Sequence, residues 1–364
     1  MYKISIIGAG SIGNHLAHAS RNRGWQVTMM DSDPAALERT RTSIYPTRYG
    51  AWDAEIRLAT RDQDYLSGAD AVFIGTPPDT HIAIALDVMS RAKPKLILIE
   101  KPLCGPDLKG CAELHRRAAE TGTRVLVGYN HSLARITRKV EEALLANKLG
   151  PVLSISSRTR EHWGGIFKAH PWLSGPADTY LGFYERGGGA LGEHSHALHI
   201  WQHLAHVAGA GRVVEVTASL DLVQDGKASY DRLAMLSLAT EQGLKGDVVQ
   251  DVITAPTDKS ARIQCRDGYI EWIVNCTSGA DGVKVVHGSG PAEPELLPKT
   301  RPDDFKIEVE HIDALLAGKV EDSAISLDRG LDTMMVIAAA FRSNASGRRV
   351  RIDWSRGYVP EALI

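Results

Sequence analysis

The sequence predicts an α/β protein in which a parallel sheet covered by helices precedes an α+β domain with a mostly antiparallel, open sheet. Three observations support this prediction. Short apolar strands alternate with helical patterns through the first third of the chain. After Gly150-Pro151 the pattern changes, and several strands then follow one another with short turns. A length of 364 residues favours two domains over one.

The first turn of the chain is rich in glycine. An apolar strand, Lys3 to Ile7, leads into Gly8, Ala9, Gly10, Ser11, Ile12 and Gly13, and a helical pattern follows directly. Gly8 allows the tight turn, Gly10 leaves room for a pyrophosphate, and Gly13 lets the helix pack closely on the strand. The helix N-terminus offers free N–H groups and the positive end of its dipole. This combination predicts a Rossmann domain with a dinucleotide site.

An acidic residue ends the second predicted strand. That strand runs from Trp25 to Met30 and is followed by Asp31. A dinucleotide site places a carboxylate there to bind the ribose hydroxyls, and this carboxylate would repel the 2′-phosphate of NADP. We therefore expect NAD as the cofactor.

The rest of the first domain, predicted over 1–128, continues the alternation. The predicted helices are Pro34 to Thr42, His81 to Arg91 and Asp107 to Glu120. The predicted strands are Ile56 to Ala59, Ala71 to Ile74, Lys95 to Ile99 and Arg124 to Val127. Three polar segments follow strands: Thr76-Pro77-Pro78, Glu100-Lys101-Pro102 and Tyr129-Asn130-His131. Because ligands bind at the carboxyl ends of such strands, we expect these segments at the site.

The second domain, predicted over 129–364, begins near the helix Ile136 to Ala146. Residues 160–188 form a long excursion rich in Gly, Pro, His and aromatic residues, and long loops of this kind are often functional. The other predicted elements are strands Val152 to Ser156, Val213 to Val223, Arg232 to Ala239, Gly246 to Ile253, Ala261 to Cys265, Tyr269 to Val274 and Val283 to His287, and helices Ala190 to Val207, Phe305 to Leu316 and Leu327 to Phe341. The last helix, about 327–343, is a candidate to pack back on the first domain.

Charge and composition exclude several classes of protein. A net charge of −2 gives no electrostatic reason to expect nucleic acid or an anionic membrane as partner. No apolar run approaches the roughly 20 residues that cross a bilayer, and Met1 leads straight into the first strand without a signal peptide. The four cysteines form no CxxC pair, so we expect reduced thiols in a cytoplasmic protein.

Two segments contain the side chains best suited to proton transfer. Lys101 ends a buried strand, where it can bond to a substrate oxygen and where burial favours its use as an acid or base; a lysine in a surface turn is the alternative. Glu193, His196 and His199 recur every three residues, so they share one face of the predicted helix. That face fits acid–base catalysis, zinc binding, or a solvated surface, and the spacing alone does not choose among them.

Several other residues are candidates to bind the substrate. His162, Trp163, His170 and Trp172 belong to the long excursion and can line a pocket, although each taken singly fits a structural role. Arg158, Arg160, Lys168 and Arg186 can meet a carboxylate or phosphate on the substrate.

The chain resembles the glucose–fructose oxidoreductase / inositol dehydrogenase / MocA family. The matching segments are the glycine turn 8–13, Thr76-Pro77-Pro78 with His81, Glu100-Lys101-Pro102, Gly128-Tyr129-Asn130 and the helix after Gly187-Gly188-Gly189. The resemblance implies hydride transfer between nicotinamide and a sugar-like alcohol carbon. It also implies a homodimer or homotetramer formed through the second sheet. It places Thr76, Pro77, His81, Glu100, Lys101 and Asn130 at the cofactor.

The resemblance carries the family's catalytic lysine onto Lys101 and its catalytic histidine onto His196. Family members commonly have Asp, three intervening residues and then His; here the acid is Glu193, and strict spacing would select Ala197. We prefer His196, because Ser195-His196 resembles a Ser-His variant found in some branches. His199 replaces an acid that often follows, so the acid–base partner of His196 stays open between Glu193 and other groups.

These observations predict an NAD-dependent dehydrogenase that acts on CH–OH groups of a polyol, sugar or nucleotide sugar, with no metal. In the predicted cleft between the domains, Lys101, His196 and Pro77 border one site, and Arg158, Trp163, His170, Trp172 and His199 contact the substrate. Two alternatives remain. One is an NAD-binding metabolite sensor without turnover, and the other is a metal-dependent lyase or hydrolase that uses Glu193, His196 and His199.

Overall fold

The structure, a computed structural model, describes residues 1–169 and 172–364. Contacts within the chain divide it into two units. The first unit contains Met1–Leu103, Gly110–Asn130 and Arg301–Leu327, and the second contains Cys104–Lys109, His131–Thr300 and Asp328–Ile364. His170, one of the predicted substrate residues, lies outside the described residues.

The elements are numbered in chain order. The strands are β1 (Lys3–Ile7), β2 (Gln26–Met30), β3 (Ile56–Ala59), β4 (Ala71–Ile74), β5 (Leu96–Ile99), β6 (Arg124–Val127), β7 (Val152–Arg160), β8 (Val213–Asp225), β9 (Ala228–Thr240), β10 (Lys245–Asp251), β11 (Asp258–Cys265), β12 (Gly268–Thr277), β13 (Ala280–His287), β14 (Glu295–Pro298) and β15 (Val350–Arg351). The helices are α1 (Ser11–Asn22), α2 (Pro34–Arg39), α3 (Tyr45–Tyr49), α4 (Pro78–Arg91), α5 (Cys111–Thr121), α6 (Arg135–Leu145), α7 (Gly164–Ala169), α8 (Gly189–Glu193), α9 (His196–Val207), α10 (Arg301–Leu316) and α11 (Leu327–Ser346).

The first unit is built on a six-stranded parallel sheet in the order β3-β2-β1-β4-β5-β6. Every residue of β4 and β5 is buried, as expected for strands covered by helices on both faces. The strand order reverses between β1 and β4, which is where sheets of this kind bind ligands. The predicted Rossmann architecture is confirmed.

Four helices of the first unit differ from the prediction at their ends. Helix α4 begins at Pro78 rather than His81, and α10 begins at Arg301 rather than Phe305. The helix expected over 34–42 is regular only to Arg39, and Thr40–Ile44 then widens into a π-helical turn. The helix expected from Asp107 begins at Cys111. Leu108 and Gly110 have φ angles of 57° and 81°, and left-handed residues cannot continue a right-handed helix.

Helix α10 returns the chain to the first unit, where it runs parallel to α1. The rings of His15 and Phe305 stack with centroids 4.4 Å apart, and Arg23 forms an ion pair with Asp313. Early residues of the two helices contact each other and so do later residues, so α1 and α10 run in the same direction. The backbone N–H of Val127 also donates to the carbonyl oxygen of a residue after α10, Ile325, at 2.9 Å.

The second unit is built on a nine-stranded sheet in the order β14-β13-β12-β11-β7-β10-β9-β8-β15. Only β7 and β10 pair in parallel; the other neighbours are antiparallel, as predicted. Helix α9 packs on this sheet through Trp201, which is fully buried and donates from Nε1 to the Ile155 carbonyl at 2.8 Å. Helix α11 contacts β8, because Ser343 Oγ accepts from the Ala218 N–H at 3.0 Å.

Several apolar side chains of the second sheet are exposed in the single chain. They are Leu153, Leu222, Met235, Val285 and Leu296. An association of chains through this sheet stays a prediction. Within the described parts of the chain, no helix combines the length and the hydropathy that a bilayer crossing requires.

Candidate active site

The glycine turn between β1 and α1 has the geometry of a pyrophosphate site. Gly8 has a φ of 108°, and a Cβ on Gly13 would lie 2.0 Å from the Gly8 carbonyl oxygen. A Cβ on Gly10 would meet no atom within 4 Å. The turn therefore combines close packing of helix on strand with an open stretch of backbone, so the residues present fit a dinucleotide.

Asp31 lies directly beside this turn. Its Oδ2 accepts a hydrogen bond from the Ala9 N–H at 2.8 Å, and its Oδ1 accepts from the Asp33 N–H at 2.9 Å. The side chain is partly exposed. The carboxylate is thus held in a fixed position at the end of β2, as ribose recognition requires.

Two buried polar residues that the sequence reasoning missed hold the glycine turn. Asn14 donates from Nδ2 to the Gly10 carbonyl at 2.8 Å, and Thr40 donates from Oγ1 to the Ala9 carbonyl at 2.6 Å. Both side chains are fully buried. A polar residue on the inner face of α1 was the available signal, because buried polar groups need a partner.

His81 connects the loops that follow β4 and β5. Its ring is fully buried; Nε2 lies 2.7 Å from the Thr76 carbonyl oxygen and Nδ1 lies 3.1 Å from the Pro102 carbonyl oxygen. Burial lowers the pKa of His81 to about 4, although the facing carbonyl oxygens oppose the shift. Burial therefore favours the neutral ring, which donates its single N–H to one of these two carbonyl oxygens and packs between the loops that contain Thr76 and Pro102.

Lys101 follows β5 at the same edge of the sheet as the glycine turn. Its side chain is half-buried, and the preceding residue, Glu100, is buried. Helix α10 adds a second buried carboxyl group, Glu308, which is fully enclosed. Burial raises the pKa of Glu308 well above its ordinary value, and the nearby Glu100 and Asp304 carboxylates act in the same direction. Both effects favour the protonated form of Glu308.

The helix predicted over 190–207 is two helices. Helix α8 ends at Glu193 and α9 begins at His196. A Cβ on Gly192 would lie 2.0 Å from the Gly187 carbonyl oxygen, so the glycine segment curls tightly before the break. Glu193 and His196 therefore do not share one continuous helix face, which corrects the expectation from spacing.

The first turn of α8 is held by a buried acid, Asp231 on β9. Its Oδ2 accepts from the Leu191 N–H at 2.7 Å, and its Oδ1 lies where a Cβ on Gly189 would come within 1.9 Å. Gln250 donates from Nε2 to the Ala190 carbonyl at 2.9 Å. Burial raises the pKa of Asp231 to about 7, against hydrogen bonds from backbone N–H groups. Sequence reasoning missed both residues.

The three acidic and basic residues of the predicted helix face have different surroundings. His196 stacks on His131 with ring centroids 4.1 Å apart. His199 is buried, and its Nδ1 lies 3.1 Å from Thr333 Oγ1 on α11. Glu193 accepts from the Tyr180 hydroxyl at 3.3 Å. In the described ranges no three His, Cys, Asp or Glu side chains are grouped so as to hold a metal ion.

The predicted substrate residues fall into three environments. Arg160, at the end of β7, donates from Nε to the Asp251 carboxylate at 2.6 Å, and Arg158 lies 3.6 Å from Asp258. Trp163 is buried in an apolar cluster and stands 4.6 Å from the ring of Tyr230. Trp172 is exposed. The arginines are held at the end of one strand, and Trp163 contributes to the core.

The fold and these sites define a class of protein: an oxidoreductase whose first unit binds a dinucleotide. Residues 2–129 match the family described as "Oxidoreductase family, NAD-binding Rossmann fold", and residues 137–271 match the GFO/IDH/MocA C-terminal domain. The chain belongs to the GFO/IDH/MocA family of oxidoreductases, and its cofactor is NAD.

Solved structures share this fold over nearly the whole chain. The WlbA dehydrogenase from Bordetella pertussis, in complex with NADH and UDP-GlcNAcA, is 18% identical with a TM-score of 0.73, over 96% of this chain and 98% of that one. The aldose–aldose oxidoreductase from Caulobacter crescentus, complexed with glycerol, is 18% identical with a TM-score of 0.73, over 97% and 100%. Levoglucosan dehydrogenase, in complex with NADH and levoglucosan, is 17% identical with a TM-score of 0.75, over 96% and 99%. No curated protein matches the sequence at a significant level.

Proposed function

We propose that this protein is an NAD-dependent dehydrogenase that transfers a hydride between nicotinamide and a CH–OH carbon of a sugar-like substrate. The observation that carries the proposal is the position of Lys101. It follows β5 at the edge of the parallel sheet where the glycine turn and Asp31 also lie. A lysine that is half-buried at that edge is suited to bind a substrate oxygen beside the nicotinamide.

The second unit supports the proposal with His196. This residue is the first of α9, and its ring is stacked on His131. The buried Asp231 fixes the turn that leads to α8, and Ser195 Oγ donates to the Gly192 carbonyl at 2.8 Å just before α9. A histidine held by stacking and by a fixed helix start is suited to proton transfer.

In the oxidation direction we assign His196 as the base that accepts the proton of the substrate hydroxyl. The Lys101 ammonium group donates a hydrogen bond to the same oxygen and stabilises its developing negative charge. NAD, when bound, supplies the hydride acceptor. The reverse direction uses the same groups, with His196 returning the proton to the oxygen.

The other predicted residues take binding or supporting roles. We propose that Gly10, Ser11 and Ile12 receive the pyrophosphate and that Asp31 binds the adenosine ribose. Thr76, Pro77 and Asn130 border the nicotinamide side, while His81 and Glu100 shape the loops from within because their side chains are buried. His199 orients α9 through Thr333, and Glu193 is held by Tyr180.

The substrate class rests on polar groups at the end of β7 and beside it. Arg160 and Asp251 form a charge pair whose acid is buried, and Lys259 pairs with Glu161 at 2.6 Å. Such fixed donors and acceptors suit a polyhydroxylated ligand. The three structural neighbours bound to a nucleotide sugar, glycerol and levoglucosan guide the choice of compounds to test.

The proposal is tested by incubating the purified chain with NAD and a panel of polyols, sugars and nucleotide sugars, and following NADH fluorescence. We expect NADH to form with at least one compound and to form equally after treatment with a chelator. Activity that a chelator abolishes, together with loss of activity in His199→Ala, would favour the metal-dependent lyase or hydrolase. Tight NAD binding without NADH formation on the whole panel would favour the sensor.

A further inference from the structure

We infer that Arg48 and Arg301 form an arginine pair at the glycine turn that binds the pyrophosphate of the dinucleotide. The two residues are far apart in the sequence, and neither belongs to the glycine motif. The inference concerns cofactor binding alone, so it stands independently of the substrate proposed above.

Arg48 is fastened to the first residue of α1. Its guanidinium group donates from Nη1 to the Ser11 carbonyl oxygen and from Nη2 to Ser11 Oγ, both at 2.8 Å. A guanidinium group has five N–H donors in a fixed fork. The two bonds to Ser11 leave three donors beside the helix turn that receives phosphate oxygens.

Helix α10 begins with Arg301 near the same turn. His15 lies one turn after Ser11 and stacks on Phe305, with ring planes only 4° apart. The Arg23–Asp313 ion pair, two turns further along, shows that α1 and α10 stay parallel. The first residue of α10, Arg301, therefore lies level with the first residue of α1, Ser11.

Neither Arg48 nor Arg301 forms an ion pair with an acidic side chain among the described residues. Burial lowers the pKa of Arg48 and the Arg301 charge lowers it further, while Tyr49 opposes the shift. Burial also lowers the pKa of His15 to about 3, with Arg48, Arg301 and His18 acting in the same direction. Two acidic residues, Asp303 and Asp304, lie on the first turn of α10, and Asp304 raises the pKa of Glu308. No carboxylate among the described residues lies within ion-pair distance of Arg48 or Arg301.

A bound anion offsets the repulsion between the two arginine charges. Two cations that repel each other, beside the positive end of α1, are stabilised by a group with two negative charges. The pyrophosphate of NAD has that charge and is expected at this turn. Arg48 then both orients Ser11 and contributes free donors, and Arg301 adds a longer-range attraction.

The test compares ADP-ribose, which contains the pyrophosphate, with adenosine, which does not. Both are titrated calorimetrically into the full chain and into Arg48→Gln, Arg301→Gln and the control Arg41→Gln. Arg41 lies in the same region, is exposed and pairs with Glu38 instead. We expect Arg48→Gln to weaken the binding of ADP-ribose by about ten- to a hundredfold. Arg301→Gln should weaken the same binding by about two- to fivefold. Neither substitution should change the binding of adenosine.

The dependence of ADP-ribose binding on salt gives a second readout, since each lost cation contact makes binding less sensitive to salt. We expect a smaller salt dependence in both variants and no change in Arg41→Gln. Equal weakening of adenosine and ADP-ribose by Arg48→Gln would show that Arg48 only shapes the turn. Unchanged ADP-ribose affinity in Arg48→Gln would overturn the inference. If Arg48→Gln lowers the melting temperature strongly, the exposed Arg301→Gln decides the question through its selective effect on ADP-ribose.

Discussion

The imidazole rings of His131 and His196 stack with centroids 4.1 Å apart and planes inclined by 22°. His131 follows the Gly128-Tyr129-Asn130 segment, whereas His196 begins α9. The proposed base, His196, is therefore held by His131, which follows strand β6. The sequence identified His131 only as part of a polar segment.

This contact predicts that the ring face of His131 matters more than its nitrogen atoms. We expect His131→Phe to keep most of the turnover, and His131→Ala to lower kcat by about two- to tenfold, since aromatic contacts are worth about 0.5–1.5 kcal/mol. Steady-state kinetics with the substrate found on the panel measures both. Equal losses in the two variants would show that a His131 nitrogen takes part in the reaction.

The position of Asp31 predicts the choice of cofactor. We expect NAD to bind more tightly than NADP, because the carboxylate is fixed beside Ala9 and repels a 2′-phosphate. Asp31→Ser combined with Ser32→Arg should shift the preference toward NADP. Fluorescence titration of both cofactors measures the ratio, and tighter binding of NADP by the unchanged chain would refute the assignment.

Two glycines of the first turn give a matched pair of variants. Gly13→Ala places a Cβ 2.0 Å from a backbone oxygen, so we expect it to destabilise the fold by about 1–3 kcal/mol. The Cβ added in Gly10→Ala has no protein atom within 4 Å, so the melting temperature of this variant should stay unchanged.

The methyl group of Gly10→Ala nevertheless points into the space assigned to the pyrophosphate. We expect this variant to bind NAD about ten- to a hundredfold more weakly. Thermal melting measures the effect of each variant on the stability of the fold, and NAD titration measures its effect on cofactor binding. Normal NAD affinity in a stable Gly10→Ala protein would place the pyrophosphate elsewhere.

Asp231 predicts a dependence of stability on pH. Its pKa is raised to about 7 by burial, whereas an unfolded Asp titrates near its ordinary value of 3.8. Between these two values the folded state keeps a proton that the unfolded state has released, so stability from this group falls as pH rises from about 4 to 7. Above pH 7 both states are ionised and the decline from this group ends.

Replacing Asp231 by Asn removes the titration and keeps an acceptor for the Leu191 N–H. We expect Asp231→Asn to flatten this part of the melting profile, while Asp231→Ala costs about 1–3 kcal/mol at every pH, because the buried N–H loses its partner. Melting temperatures at a series of pH values measure both. An unchanged slope in Asp231→Asn would assign the pH dependence to other groups.

The first sheet and the loops at its edge could be predicted from the sequence alone. Each strand is a short apolar run that ends in Gly, Pro or a polar residue, and Asp31, Thr76 and Lys101 each follow such a run. Local pattern suffices there, because burial on both faces requires continuous apolar strands. The antiparallel second sheet was predicted from alternating strands with short turns.

The features that could not be predicted depend on contacts between segments that are far apart in the sequence. The amphipathic spacing of α10 indicates a buried face, but not that Phe305 stacks on His15 in the first unit. The break between Glu193 and His196 depends on the Gly187–Gly192 contact and on Asp231 from another strand. Helical spacing alone therefore overestimated how well Glu193 and His196 align.

The central claim is that Lys101 and His196 act on the same oxygen of one substrate. A double-mutant cycle tests it with Lys101→Ala, His196→Ala and the combined variant, together with the control Ala197→Ser, which replaces a neighbour without a titratable group. Turnover is followed by NADH fluorescence and NAD affinity by titration.

We expect each single variant to bind NAD normally and to lose about 10²–10⁴ in kcat, while Ala197→Ser loses far less. The combined variant should lose much less than the product of the two single losses, because residues that act as a unit are not additive. Fully multiplicative losses, or full activity in His196→Ala, would contradict the claim.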